Sequence, residues 1–176
     1  EPYRRQRQMC IRDSYNKRSL NRYLEDVFED CLLNEKELGI LFLDIDHFKQ
    51  LNDRYGHGRG DEGICAVADT LKKCFPEDYV ARYGGDEFLV VMTGRDREYA
   101  EEHARQLCMG IRECEIPNED SSVEPWLTIS VGGVCAIPKE PNRVWDFLSA
   151  ADKTLYDQKN EQKGKVRFYV GEGQYL

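Results

Sequence analysis

Two pairs of acidic residues stand at the ends of apolar segments in this sequence. Asp44 and Asp46 close the segment LGILFLDID, whereas Asp86 and Glu87 follow a Gly-Gly pair and lead into the apolar run FLVVM. If both segments are neighbouring strands, the carboxylates converge, and clustered carboxylates repel one another unless a cation or a proton lies between them. Oxygen ligands of this kind suit Mg²⁺, which also recruits phosphates. Solvated acids at strand ends are the alternative interpretation.

Residues near these acids belong to types that bind nucleotides. Lys49 follows the first acid pair closely and could reach a phosphate as a point charge. Asn52 and Asp61 supply an amide and a carboxylate, which complement the donors and acceptor of a purine edge. Gly84 and Gly85 would let a polyphosphate lie against bare backbone. Together these residues indicate a metal-dependent nucleotide site, although they do not by themselves name the reaction.

A glycine-rich segment separates Asn52 from the next apolar helical pattern. Gly56, Gly58, Gly60 and Gly63 surround His57 there, and we expect a loop that opens a helix. The free N–H groups of a helix start can hold an anion or a polar ligand. A histidine in such a loop is more often a packing residue than a ligand contact, so both roles stay open for His57.

The spacing of apolar residues predicts the elements that must position these side chains. In chain order, we expect a helix over 19–33, a buried strand over 38–45, a short helix before the glycine-rich segment, a helix over 64–75, strands at 79–83 and 87–92 joined by a tight turn, a helix over 97–114, a strand region over 126–137 broken by Gly132-Gly133, a helix over 144–160 and a strand over 165–170. Interleaved helices and strands with one adjacent strand pair predict an α/β or α+β fold, in which helices flank a mixed sheet of about five strands.

Length and charge limit the classes of function. A chain of 176 residues suits one domain. The net charge of −8 argues against a protein that coats nucleic acid or an anionic membrane, because both partners favour a basic face. No apolar run approaches the roughly 20 residues of a membrane span, and we expect a cytoplasmic location. Residues 1–14, which contain RRQRQMCIRD, resemble one reading frame of a transposon-based sequencing adapter, so we expect a non-native leader followed by one domain over 15–176.

Four segments carry a resemblance to a known family. LDIDHFKQLNDRYGHGRGDE, VARYGGDEFLVVM, LTISVGGV and ADKTLYDQK are similar, in that order, to the successive motifs of the GGDEF family of diguanylate cyclases. The likeness covers about residues 15–170. It implies a fold like that of nucleotide cyclases and the polymerase palm, and condensation of two GTP molecules into cyclic di-GMP with release of two pyrophosphates.

The resemblance also implies roles for individual residues. Asp44 and Asp86 would bind Mg²⁺ (with Mn²⁺ as a possible substitute) through their side chains, and Ile45 would bind it through its carbonyl. Glu87 would be the active-site acid and Lys49 would stabilise charge on the reacting phosphate. The remaining expected substrate contacts are Asn52 and Asp61 to guanine, His57 lining the same pocket, Gly84 and Gly85 beside the phosphates, and Lys159 and Lys163 on the terminal phosphates.

The sequence departs from the family pattern in three places. DSYNKRSL lacks the usual L-T-G-L element near the amino end. In the closing motif the glycine is displaced to Gly164, which weakens the assignment of Lys163. The arginine of the product-inhibition motif R-x-x-D is replaced by Phe75, for which packing is the favoured role, while Asp78 keeps the aspartate position.

Three hypotheses remain at this point. The first is an active cyclase, which would work as a homodimer because a symmetric product needs two activated nucleotides facing each other. We also expect an attached sensory or regulatory domain. The second is a non-catalytic GTP- or dinucleotide-binding regulatory module, and the third is an enzyme acting on another nucleotide, which the Asn52 and Asp61 pair disfavours.

Overall fold

The computed structural model of the chain describes residues 17–170, so the leader expected over 1–14 lies outside the described residues. The elements in chain order are α1 (Lys17–Leu33), β1 (Leu38–Ile45), α2 (Phe48–Tyr55), α3 (His57–Cys74), β2 (Tyr79–Arg82), β3 (Glu87–Thr93), α4 (Arg97–Glu113), β4 (Ile129–Ala136), α5 (Val144–Glu161) and β5 (Val166–Phe168). The predicted order of helices and strands is therefore confirmed. Across residues 17–170, the helices lack the length and apolar character that a membrane span requires.

The five strands form one sheet in the order β2-β3-β1-β4-β5. The pairs β1 with β3, β1 with β4 and β2 with β3 are antiparallel, whereas β4 and β5 are parallel. The predicted mixed sheet flanked by helices is confirmed. Strand β1 lies at its centre, and this position brings the acids at the end of β1 beside the turn between β2 and β3.

Alternate residues of β1 point to opposite faces of the sheet. Leu41 and Leu43 pack in one apolar cluster with α2, α3 and α4, whereas Ile40 and Phe42 pack in a second cluster with α1 and α5. Burial of each such side chain stabilises the fold by about 1.5–3 kcal/mol. Asp44 follows the alternation of Ile40 and Phe42, so it lies on the face that α5 covers.

The prediction of a loop over the glycine-rich segment is wrong. Helix α3 begins at His57, so that only Gly56, with φ 84°, separates it from α2. A Cβ built on Gly60 would lie 2.0 Å from Oδ1 of Asn52. Gly60 therefore permits close packing of α3 on α2. This contact outweighs the low helix propensity of glycine, which destabilises a helix by about 1 kcal/mol per residue relative to alanine.

The prediction of a break at Gly132-Gly133 is also wrong, because β4 runs without interruption from Ile129 to Ala136. A Cβ on Gly132 would lie 2.2 Å from the backbone nitrogen of Leu155. The glycine thus allows α5 to approach the sheet closely. Strand β5 spans only Val166–Phe168 and is shorter than the strand expected over 165–170.

Candidate active site

The carboxylates of Asp44, Asp86 and Glu87 lie close together where β1 ends and β3 begins. Asp44 lies directly opposite Glu87 in the antiparallel register. The backbone N–H of Ile45 donates a hydrogen bond to the carbonyl of Asp86 over 3.1 Å. Asp44 therefore lies beside Asp86 and Glu87, as expected if β1 and β3 are neighbours.

The turn between β2 and β3 is held by backbone contacts and by one arginine. The N–H groups of Tyr83 and Gly84 donate to the carbonyl of Glu87 over 2.8 and 3.2 Å. Arg82 donates through its guanidinium to the carbonyl of Gly84 over 3.1 Å and to that of Gly85 over 2.6 Å. Sequence reasoning missed this role of Arg82, although an arginine just before a Gly-Gly turn is a usable signal.

The two glycines of the turn serve different purposes. A Cβ on Gly84 would lie 2.5 Å from Oε2 of Glu87, so a side chain at Gly84 would displace that carboxylate. Around Gly85, in contrast, no heavy atom of the described residues lies within 4 Å of a built Cβ, apart from those of its chain neighbours. Gly84 therefore keeps room for the Glu87 carboxylate, and Gly85 offers exposed backbone beside it.

The acids perturb one another electrostatically. Burial raises the pKa of Asp44, and the charges of Asp86 and Asp46 raise it further, whereas Lys159 opposes the shift. Burial also raises the pKa of Glu87, with added contributions from Asp44 and Asp86. Negative charge is thus concentrated here, and the site favours a cation or a proton.

The donor set fits Mg²⁺ only with help from a substrate. Within residues 17–170 there is no group of three or more His, Cys, Asp or Glu side chains placed to hold a metal ion. Asp44, Asp86 and the carbonyl of Ile45 would supply two carboxylates and one backbone oxygen. Mg²⁺ is typically held by one or two carboxylates together with water and substrate phosphates, so this smaller set suits it.

Asp46 has a different role from Asp44 although both acids end the same segment. Its side chain is fully buried and accepts hydrogen bonds from the hydroxyls of Thr128 over 2.8 Å and Ser130 over 2.6 Å. A buried carboxylate requires such partners. Asp46 therefore fastens the end of β1 to β4, and its oxygens point away from solvent.

The lysines expected to hold phosphates lie at this same end of β1. Nζ of Lys159 lies 2.8 Å from Oδ1 of Asp44, so in the structure Lys159 contacts an acid of the expected metal site. Lys163 lies near His47, whose pKa is lowered by burial and then by the charge of Lys163. Lys159 therefore contacts the acid cluster directly, whereas the charge of Lys163 acts on His47, two residues after Ile45.

The displaced glycine of the closing motif is held from two sides. Gly164 has φ 72°, which favours glycine. Its N–H donates to the hydroxyl of Ser130 over 3.1 Å, and its carbonyl accepts from Arg112 over 2.7 Å. The segment after α5, including Lys163, is therefore fixed to β4 beside Asp46.

The residues expected to bind guanine and phosphate lie on α2 and α3. Lys49 is exposed in the first turn of α2, and His57 is exposed in the first turn of α3. Oδ1 of Asn52 is buried and has no hydrogen-bond partner among the described residues. It faces Gly60, and Asp61 is the next residue along α3. An unpartnered buried amide oxygen is costly, which suits a position that a ligand completes.

The position of the product-inhibition motif is filled by packed side chains. Phe75 is buried after the end of α3, as expected for a packing role. The carboxylate of Asp78 accepts a hydrogen bond from the hydroxyl of Tyr99 over 3.0 Å, and the Tyr99 ring stacks on His103 with centroids 3.8 Å apart. Asp78 is therefore already engaged within the domain.

Comparisons with known proteins agree on one family. The model of the family described as "Diguanylate cyclase, GGDEF domain" matches residues 13–165. A protein of Escherichia coli K12 named "Probable diguanylate cyclase DgcC" is 33% identical over 171 residues, covering 94% of this chain and 45% of the relative. Diguanylate cyclase A of Treponema denticola is 33% identical over 133 residues, covering 75% of this chain and 35% of that protein. The chain thus spans less than half the length of these curated relatives.

Solved structures show the same fold. The active GGEEF domain of a diguanylate cyclase from Vibrio cholerae superposes with a TM-score of 0.79 at 23% identity, covering 89% of this chain and 98% of that domain. The sequence motifs, the five-stranded sheet and the family match all agree. The chain belongs to the GGDEF family of diguanylate cyclases.

Proposed function

We propose that this chain condenses two GTP molecules into cyclic di-GMP and releases two pyrophosphates, using Mg²⁺, for which Mn²⁺ can substitute. The observation that supports this proposal most strongly is the acid cluster, in which Asp44 faces Glu87 and the backbone of Ile45 is bonded to that of Asp86. Each of the two bond-forming steps joins a ribose 3′ oxygen to an α-phosphorus and breaks the bond from that phosphorus to the pyrophosphate oxygen.

The proposed metal ligands are Asp44, Asp86 and the carbonyl of Ile45. A bound Mg²⁺ would neutralise charge on the reacting phosphates. Glu87 is placed beside this set and would take up the proton of the 3′ hydroxyl. Its pKa is raised, first by burial and then by its acidic neighbours, which makes its carboxylate a stronger proton acceptor than that of an ordinary glutamate.

Guanine would be bound between α2 and α3. Asn52 has a buried oxygen without a partner in the described part of the chain, and Asp61 follows the glycine against which Asn52 packs. A carboxylate can accept both N–H donors of the guanine edge, which adenine does not present in the same arrangement. His57 would line the open end of this pocket.

The phosphates would lie between α2, the turn and the end of α5. Lys49 would contribute positive charge from α2, Lys159 from α5 and Lys163 from the segment after α5, and Gly84-Gly85 would contribute backbone. The resulting positioning of the triphosphate is most of what phosphoryl-transfer catalysis requires.

Catalysis would require two copies of the domain, because each copy presents one set of acids and the product is symmetric. The direct test is to incubate the purified protein with GTP and Mg²⁺ and to detect cyclic di-GMP by chromatography and mass spectrometry. We expect specific activity to rise with protein concentration. Absence of product at every concentration would contradict the proposal, and activity strictly proportional to enzyme would contradict the dimer requirement.

A non-catalytic nucleotide-binding module is the second candidate. The contact of Lys159 with Asp44 favours it, because this ion pair occupies an expected metal ligand. Such a module would bind GTP measurably in calorimetry and form no cyclic di-GMP. An attached regulatory domain and a cytoplasmic location stay predictions.

A further inference from the structure

Lys159 makes a contact that a role in phosphate binding does not explain. Its Nζ lies 2.8 Å from Oδ1 of Asp44, and the two side chains retain only 29% and 13% of their exposure. We propose that Lys159 and a divalent cation compete for the Asp44 carboxylate, so that metal binding releases Lys159 toward the nucleotide's phosphates. This inference rests on the proposed function, because it assigns Asp44 to the metal.

The surroundings of Asp44 supply the reason for competition. Asp44 faces Glu87 across the strand pair and lies beside Asp86. Burial among like charges favours the presence of one positive partner. A lysine ammonium is a compact charge on a flexible stem, so Lys159 can supply that charge and can also leave without unfolding the helix.

The region proposed for the phosphates is close enough for Lys159 to reach it after release from Asp44. Lys159 lies two residues before the end of α5, and the segment that follows is fixed by the contacts of Gly164 with Ser130 and Arg112. The helix end therefore stays in place while the side chain moves. Lys159 already lies beside the turn proposed to hold the phosphates, because its partner Asp44 faces Glu87 at the start of β3.

Competition of this kind couples two binding events. Metal bound at Asp44 would free Lys159 for the phosphates, and phosphates that attract Lys159 would open Asp44 to the metal. Linkage requires both effects to be equal. The domain would then bind a metal ion weakly alone and more tightly together with a triphosphate.

The test is direct binding of Mn²⁺ by electron paramagnetic resonance, without nucleotide, to the full chain and to its Lys159→Gln variant. We expect Lys159→Gln to bind Mn²⁺ about five- to tenfold more tightly, a scale between those of exposed and buried ion pairs. Lys163→Gln is the matched control, because it removes the same charge from the same region without removing the contact to Asp44. We expect that control to change the affinity less than twofold.

Two further variants separate the contact from general charge. In an Asp44→Asn background, Lys159→Gln should no longer increase Mn²⁺ affinity. Lys159→Arg, which keeps the charge, should retain the weak affinity of the parent, and it also serves if the glutamine variant fails to fold. Equal or weaker Mn²⁺ binding by Lys159→Gln, or an equal gain in Lys163→Gln, would overturn the inference. Because no GTP is present, the outcome is independent of whether the protein forms cyclic di-GMP.

Discussion

Replacement of Gly132 by alanine should separate α5 from the sheet and damage the active site from beneath it. The new methyl group would lie 2.2 Å from the backbone nitrogen of Leu155 and 2.5 Å from the carbonyl oxygen of Ala151. Ordinary contacts begin at 3.4 Å, so the helix must retreat by roughly 1 Å. Overpacking of this kind costs about 1–3 kcal/mol, and we expect the upper end because the obstacle is backbone.

The loss in stability should be visible in thermal unfolding followed by circular dichroism. For a chain of this size, about 3 kcal/mol corresponds to a fall in Tm of about 6–12 °C. Lys159 lies one helical turn beyond Leu155, so the proposed cyclase activity below the Tm should also fall, by up to about 100-fold if Lys159 is displaced by about 1 Å.

Two glycine variants serve as controls for this prediction. The three atoms nearest to a Cβ on Gly133 belong to the side chains of Phe168 and Leu41, which can rearrange, so Gly133→Ala should be less destabilising. Gly85→Ala would meet no described atom within 4 Å beyond its chain neighbours and should leave Tm nearly unchanged. A Gly132→Ala protein as stable as the parent, or no less stable than Gly133→Ala, would refute the argument from close packing.

Three other predictions concern the pocket, the acids and feedback. Asp61→Ala should weaken GTP binding at least tenfold more than ATP binding in calorimetry, and equal losses would show that Asp61 does not bind guanine. Without metal, Glu87→Gln should raise the free energy of unfolding at pH 8 by about 0.2–1 kcal/mol, because it removes a like charge opposite Asp44. The pKa of Glu87 is raised in the folded state, so the parent is fully stable below the unfolded pKa and loses stability as pH rises. The stabilisation by Glu87→Gln should therefore vanish at pH 4 in urea titrations. An equal stabilisation at both pH values would show that the charge of Glu87 is not its cause. Phe75 replaces the arginine of the product-inhibition motif and is buried, so cyclic di-GMP should inhibit only in competition with GTP. Inhibition that saturating GTP does not relieve would refute that expectation.

The sequence predicted those parts of the fold that depend on local pattern. The apolar run before Asp44 is a buried strand, and the amphipathic segments are helices, because periodic burial dominates in both. The glycines of α3 and β4 led to the wrong predictions of a loop and a strand break, since glycine in a sequence usually indicates a turn or loop. Gly60 and Gly132 are instead sites of close approach, and this depends on partners distant in sequence.

The acidic residues of the candidate site could be predicted from the sequence, whereas the contacts that those residues make could not. The motif around Asp86 identified the residue types that meet at the end of β1. The ion pair of Lys159 with Asp44 joins residues 115 positions apart, and no local pattern shows it. The hydroxyl contacts that set Asp46 apart from Asp44 likewise come from β4 and the residue before it.

The acid cluster of Asp44, Asp86 and Glu87 is proposed to perform metal-dependent condensation of GTP. The most direct measurement compares cyclic di-GMP formation by the parent and by Asp86→Asn, at equal concentrations with GTP and Mg²⁺, after circular dichroism has shown that both are folded. We expect product from the parent and a loss of at least about 100-fold in Asp86→Asn, because the change removes one of two carboxylates from the proposed cation site. Near-parental activity in Asp86→Asn, or no cyclic di-GMP from the parent, would contradict the proposal.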